Sequence, residues 1–144
     1  MDIETQIIKE YKDFMYNNSV FGDFLRDNNK ILPEPPQSFS DYPTIVIKEA
    51  NNTDYFLGKS TDRTEYYDSL IYQVEIFAKN KSIDGTKYPA RSIINELKNN
   101  TFKFFNQIGF VRETAFRGEY IDINVNRYIM TFTSKINNWN MKVL

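Results

Sequence analysis

Leu70-Ile71-Tyr72-Gln73-Val74-Glu75-Ile76-Phe77-Ala78-Lys79 sends Leu70, Tyr72, Val74, Ile76 and Ala78 to one side of an extended chain and Ile71, Gln73, Glu75, Phe77 and Lys79 to the other. Successive side chains of a strand point to opposite faces, so this alternation predicts a strand with one apolar face that needs a cover. The same pattern places its start near Glu65 and its end at Lys79. A cover follows directly. Asp84-Gly85 is a turn signal, Thr86 is an expected helix cap, and Pro89 is tolerated in a first turn. Ala90, Ile93, Ile94, Leu97, Phe104, Phe105 and Ile108 then mark the buried side of a long helix. Gly109 stands where a helix stop favours positive φ, and Phe110 supplies the accompanying apolar contact.

Downstream, Phe110 to Phe116 and Tyr128 to Ile136 are strand candidates separated by the turn Arg117-Gly118-Glu119. Ile121, Ile123 and Val125 are apolar at odd positions, whereas Tyr128, Met130 and Phe132 are even, which predicts a bulge or loop near Asn124 to Asn126. Upstream, Thr44-Ile45-Val46-Ile47-Lys48 is a short β-branched strand, and Asp54 to Arg63, with Tyr55-Phe56-Leu57, is a strand-and-turn candidate. Residues 28–43, with Leu32-Pro33-Glu34-Pro35-Pro36, form a connector that cannot be helical. Ile3, Ile7, Ile8, Tyr11, Phe14 and Met15 line one face of an N-terminal helix over residues 1–16, followed by a less regular piece with Val20, Phe21, Phe24 and Leu25. The expected fold class is α+β, a mostly antiparallel sheet covered on one face by the N-terminal helix and one long central helix. Residues 1–144 are read as a single domain, with 44–136 holding the sheet and the long helix.

Composition narrows the chemistry. The chain has 144 residues and neither His nor Cys. Histidine- and cysteine-based nucleophilic catalysis, disulfides and iron–sulfur ligation are therefore excluded. Eighteen Lys and Arg against 19 Asp and Glu give a net charge of −1, too small a field to draw nucleic acid or anionic lipid. Residues 1–43 carry 4 basic and 8 acidic side chains, whereas residues 44–144 carry 14 and 11. Met1 is followed by Asp2 and Glu4 rather than a basic leader, and no apolar run is long enough to span a bilayer, so a soluble, intracellularly made protein is expected.

Catalytic motifs are missing. Gly22, Gly58, Gly85, Gly109 and Gly118 are isolated, with no phosphate-cradling loop. Glu75 is followed by Ile76-Phe77 and not by the Lys two residues on that a metal-dependent nuclease strand would need. The acidic side chains are expected to be solvated surface charge. Phe102-Lys103-Phe104-Phe105 mixes aromatics with a base but continues the helical stripe, so packing is its expected role; Arg112, Arg117 and Arg127 are a thin basic set. No catalytic, cofactor or metal site is expected.

The second face of the sheet is the more informative feature. It would hold Ile71, Phe77, Ile129, Thr131 and Thr133, with Val46 and the nearby Phe56, Tyr66 and Tyr67. Such a face is less polar than water contact favours. Two readings stay open: subunit contact, with Val46, Tyr66, Tyr67, Ile71, Phe77 and Ile129 as interface candidates, or a cover from the 17–42 segment or the 117–126 loop.

The long strand Leu70 to Ala78, the helix opening Ala90-Arg91-Ser92-Ile93-Ile94, the Gly109-Phe110 stop with Val111-Arg112, and Arg127-Tyr128-Ile129-Met130-Thr131-Phe132 together resemble the tail terminator (tail-completion) proteins of long-tailed bacteriophages. The resemblance covers about residues 43–136 and is one of pattern, in a family without a catalytic signature. It implies a structural, non-enzymatic protein: a ring, expected as a homohexamer, at the head-proximal end of the tail tube. There it would stop tube polymerisation and join the tail to the head. The implied partners are copies of itself, the tail tube protein and the head–tail connector protein. DNA would be passing cargo in a lumen poor in positive charge, and no membrane would be involved. The implied location is the virion, after assembly in the host cytoplasm. The alternatives are another neck or head–tail connector component or, from a different class, a small nucleic-acid-binding or nuclease domain.

Overall fold

A computed structural model describes residues 3–37, 41–49, 70–118 and 125–134. The central strand β3 (Ile71–Ala78) is the segment with the cleanest alternation. It is flanked on one side by β2 (Thr44–Glu49) and on the other by β7 (Asn126–Ser134), both antiparallel, with Val74 opposite Ile47 and Met130. β1 (Ile31–Leu32) pairs parallel to β2, and β6 (Phe110–Arg117) pairs antiparallel to β7, giving the order β1-β2-β3-β7-β6. β6 therefore runs parallel to β3, with β7 between them.

The covered face is the even face of β3. Tyr72, Val74, Ile76 and Ala78 join Ile45 and Ile47 of β2, Met130 and Phe132 of β7, and Phe110 of β6 in one buried cluster. Helix α1 (Ile3–Asn18) contributes Ile7, Tyr11 and Met15, residues four apart on a single stripe. Helix α3 (Ala90–Gln107) contributes Ile93, Ile94, Leu97, Phe104 and Phe105. Phe105 is the hub. Its ring stacks on Phe132 at 4.3 Å between centroids and meets Phe110 at 5.4 Å and Tyr72 at 5.9 Å. A fully buried phenylalanine contributes about 1.5–3 kcal/mol from area alone, and ring pairing adds to it.

The α+β class and its two covering helices are as the sequence implied; several local readings change. α1 runs through Asn17-Asn18 instead of stopping at residue 16, because the Asn18 amide donates to the Phe14 carbonyl at 2.9 Å and closes the last turn. The irregular piece after it contains a short helix, α2 (Gly22–Asp27). Gly22 is required there by space, since a Cβ would run into the Tyr16 carbonyl. The connector 28–43 is not wholly irregular: β1 forms within it before Pro33 removes the next amide donor. Thr86 does not cap α3. It lies in β5 (Thr86–Tyr88), which pairs with β4 (Lys81–Ile83) across Asp84-Gly85 as a separate hairpin. The α3 N-terminus is served from further away, where Asn80 Oδ1 accepts from Ala90 N–H at 2.8 Å. Gly109 takes φ +89° just past α3, the conformation its position called for.

Of the bulge or loop expected near Asn124 to Asn126, Asn124 lies outside the described residues and Val125 is in the loop that leads into β7. Val125 packs on the second face with Val46 and Phe77, the face that the odd residues of β7 share, and a further irregularity interrupts β6 between Arg112 and Thr114. The strand candidate Asp54 to Arg63, the start of the long strand near Glu65, Phe56, Tyr66, Tyr67, Ile121, Ile123 and Asn124 lie outside the described residues, as does Trp139.

One buried polar contact ties α1 to α3. The Tyr11 and Thr101 hydroxyls are 2.9 Å apart, and Thr101 Oγ1 also donates to the Leu97 carbonyl at 2.8 Å. Burial pushes the Tyr11 phenol well above its ordinary value, against a smaller lowering by the Thr101 hydrogen bond. A folded-state pKa raised in this way stabilises the native state fully below the unfolded value of about 10 and is lost as pH rises beyond it. We predict that urea-unfolding stability falls above about pH 10. Tyr11→Phe should cost about 1 kcal/mol near neutral pH through the lost hydrogen bond, and should show a shallower alkaline fall than the wild type.

Candidate assembly surface

The uncovered face carries Thr44, Val46 and Lys48 of β2, Ile71, Gln73, Glu75 and Phe77 of β3, Arg127, Ile129, Thr131 and Thr133 of β7, and Val111, Thr114 and Phe116 of β6. It divides into a closed end, a polar centre and an open rim.

At the closed end Val46, Phe77 and Val125 form a small buried cluster, with Tyr42 packed against it. Tyr42 comes from the Pro-containing connector and Val125 from the loop before β7, the two segments named as possible covers. Val46 and Phe77, offered as interface candidates, are thus buried within the chain and present no surface.

At the centre Glu75 is only 3% exposed, against the expectation of solvated charge. Glu75 Oε1 accepts from Arg127 Nη2 at 3.0 Å, and Oε2 accepts from Gln73 Nε2 at 2.6 Å. The Arg127 guanidinium lies 5.5 Å from the Phe77 ring centroid, so an aromatic face supports it. The reason the usual preference fails is geometric. A glutamate at an odd position of the central strand has sheet on both sides, and its burial is offset by a cation from the neighbouring strand.

At the rim the face opens. Phe116 is 51% exposed and Val111 46%, both on β6. Phe116 lies opposite the partly buried Ile129, and Val111 opposite Thr133, whose other neighbour is the partly buried Ile71. Of the interface candidates, Ile71 and Ile129 therefore border the open region, and Tyr66 and Tyr67 lie outside the described residues. Val111 and Phe116 were missing from the sequence-based set although their strand was recognised. The bulge between Arg112 and Thr114 lets residues 111 and 116, of opposite parity, share one face.

Elsewhere, the three arginines do not converge. Arg112 lies over the Phe102 ring at 4.8 Å, Arg127 binds Glu75 on the opposite face, and Arg117 is exposed. Phe104 and Phe105 are core residues. A shallow cleft of about 300 Å³ beside the hairpin is lined by Asn80, Lys81, Ser82, Lys87, Tyr88 and Pro89. Its Lys81 is held by Asp41 at 3.4 Å and by the Phe24 ring at 4.3 Å. Among the described residues no group of three or more acidic side chains is placed to hold a metal, and no helix is long and apolar enough to cross a membrane. No protein family matches the chain, and no curated protein is significantly similar to it.

Glu75→Gln removes the charge that Arg127 was placed to meet. We predict a loss of about 1–3 kcal/mol in urea unfolding, moderated by the partial exposure of Arg127. Replacing Glu75 and Arg127 together by Leu and Met should recover most of it.

Proposed function

We propose that this chain is a structural, self-associating protein, a ring-forming tail terminator of the kind found in long-tailed bacteriophages. The observation that carries the reading is the open rim of the second sheet face, where Phe116 and Val111 stand about half exposed on an edge strand. The two flank Thr114 on that face, and large apolar side chains gathered on an edge strand support a contact surface. The pattern of long strand, long helix and two closing strands over about residues 43–136 supports the choice of tail terminator among assembly proteins. In this reading the ring caps the head-proximal end of the tail tube, stops its growth and presents a platform to the head connector.

The test has two arms. The purified chain should give a ring mass, alone or on tail tube ends, by native mass measurement. Tails assembled without it should lose length control in electron micrographs. A monomer under all these conditions that shifts DNA in a gel would replace the reading with a nucleic-acid-binding one.

A further inference from the structure

On the helix-bearing side of the sheet, α3 packs on β6 and β7 and leaves a flank open to water. Arg91, Lys98 and Phe102 stand on one stripe of α3. The β6 bulge turns Arg112 and Arg117 to this same side, opposite Phe132 and Tyr128 of β7. Lys98 Nζ lies 5.1 Å from the Tyr128 ring centroid, and the Arg112 guanidinium lies 4.8 Å from that of Phe102. Arg112 and Arg117 are separated by the step from Phe132 to Tyr128, roughly 14 Å along the strand. Arg91 lies two turns of α3 before Lys98, about 10 Å along the axis.

These four cations are uncompensated. Among the described residues none of them makes an ion pair, whereas Lys9, Arg26, Lys81 and Arg127 each do. The two acids on the same elements do not cancel them. Glu96 is turned away to the α1–α2 turn, where it accepts from Ser19 Oγ at 2.7 Å and from the Val20 amide at 3.0 Å. Glu113 stands exposed at the bulge, one negative charge against four positive. The whole-chain charge of −1 hides this flank, because contact is decided within a Debye length of about 8–10 Å.

A ring under a cation attracts it without neutralising it. It also restrains the side chain, so less freedom is lost when an anion binds. An arginine stacked on a ring keeps N–H groups free for phosphate oxygens, and three of the four cations are arginines. A single small anion cannot meet Arg112 and Arg117 together, but a ligand with repeated negative charges can. The flank is a helix side lying along a strand, with no projecting element to enter a groove, so it is suited to a backbone and not to base edges.

We propose that the α3–β6 flank binds the phosphate backbone of nucleic acid through Arg91, Lys98, Arg112 and Arg117, without reading base sequence. It goes beyond the assembly reading and lies on the opposite side of the sheet from the Val111 and Phe116 rim, so each can fail alone.

The experiment measures fluorescence anisotropy of a short labelled DNA duplex titrated with the full chain, with circular dichroism to confirm that each variant is folded. Four phosphate contacts should give a loss of about a hundredfold in affinity between about 50 and 200 mM salt, whatever the base sequence. Arg91→Gln, Lys98→Gln, Arg112→Gln and Arg117→Gln should each reduce the salt slope by about one, whereas Lys9→Gln and Lys87→Gln, away from the flank, should leave it unchanged. No duplex binding at low salt, or equal losses in the flank and control variants, overturns the proposal. Tighter binding of polyglutamate than of the duplex at the same salt also overturns it, in favour of an acidic protein surface. Native mass measured on the same samples separates the two readings: a ring without DNA affinity removes only this inference, and a monomer that binds DNA through the flank keeps it and removes the ring.

Discussion

The pleat of β3 is the constraint on which the rest depends. It is flanked by paired strands on both sides, so the phase of its side chains sets the phase of β2 and β7 through the register that places Val74 between Ile47 and Met130. A slip of one residue would send Tyr72, Val74, Ile76 and Ala78 to the other face and bring Glu75 under the helices. α1 and α3 then have one place to dock, and their stripes meet at Phe105, whose ring touches β3, β6 and β7 residues at once. Helices of this length are marginal alone, so their stability comes from that docking.

Covering one face leaves the other to be managed, and the chain does so by halves. Near Val46 and Phe77 it folds Tyr42 and Val125 over the sheet and makes a second, small core. Beside that core, Glu75 takes Arg127 and Gln73 as partners, so the carboxylate is buried with both oxygens satisfied. A buried ion pair of this kind adds little net stability over apolar residues of the same volume, but removing either member is costly. It also fixes register, because Arg127 of β7 must reach residue 75 across the sheet and no other acid shares that face of β3.

How much of this was legible in the sequence follows from the range of the physics involved. The period-2 run of β3 and the stripe of α3 are local patterns, and both elements form where those patterns lie. The Gly109 stop was legible for the same reason. Several of the misreadings involve partners distant in the chain. Thr86 is a plausible cap until Asn80 is seen to serve Ala90 N–H across the hairpin. Ile31 and Leu32 become a strand only because Ile45 and Val46 run beside them. Glu75 reads as surface charge unless Arg127, 52 positions away, is known to face it. The rim was hidden by the bulge in β6, since parity alone assigns Val111 and Phe116 to opposite faces.

The two sheet edges show how such a rim can be sticky without being a template for strand pairing. β1 is two residues long and is followed by Pro33, Pro35 and Pro36, so it offers few free backbone donors. β6 has no strand beyond it among the described residues, yet it carries a bulge and three charged side chains within eight residues. Bulges and charges are the usual devices against edge-to-edge growth of a sheet. What they leave on β6 is side-chain surface: a ring and a branched methyl group standing out beside Ile129 and Thr133. Contact through such a surface is set by shape and charge, not by backbone hydrogen bonds that any extended strand could supply. A contact of that kind can select one partner patch at one angle, and a fixed angle between successive copies is what allows an assembly to close instead of growing without limit.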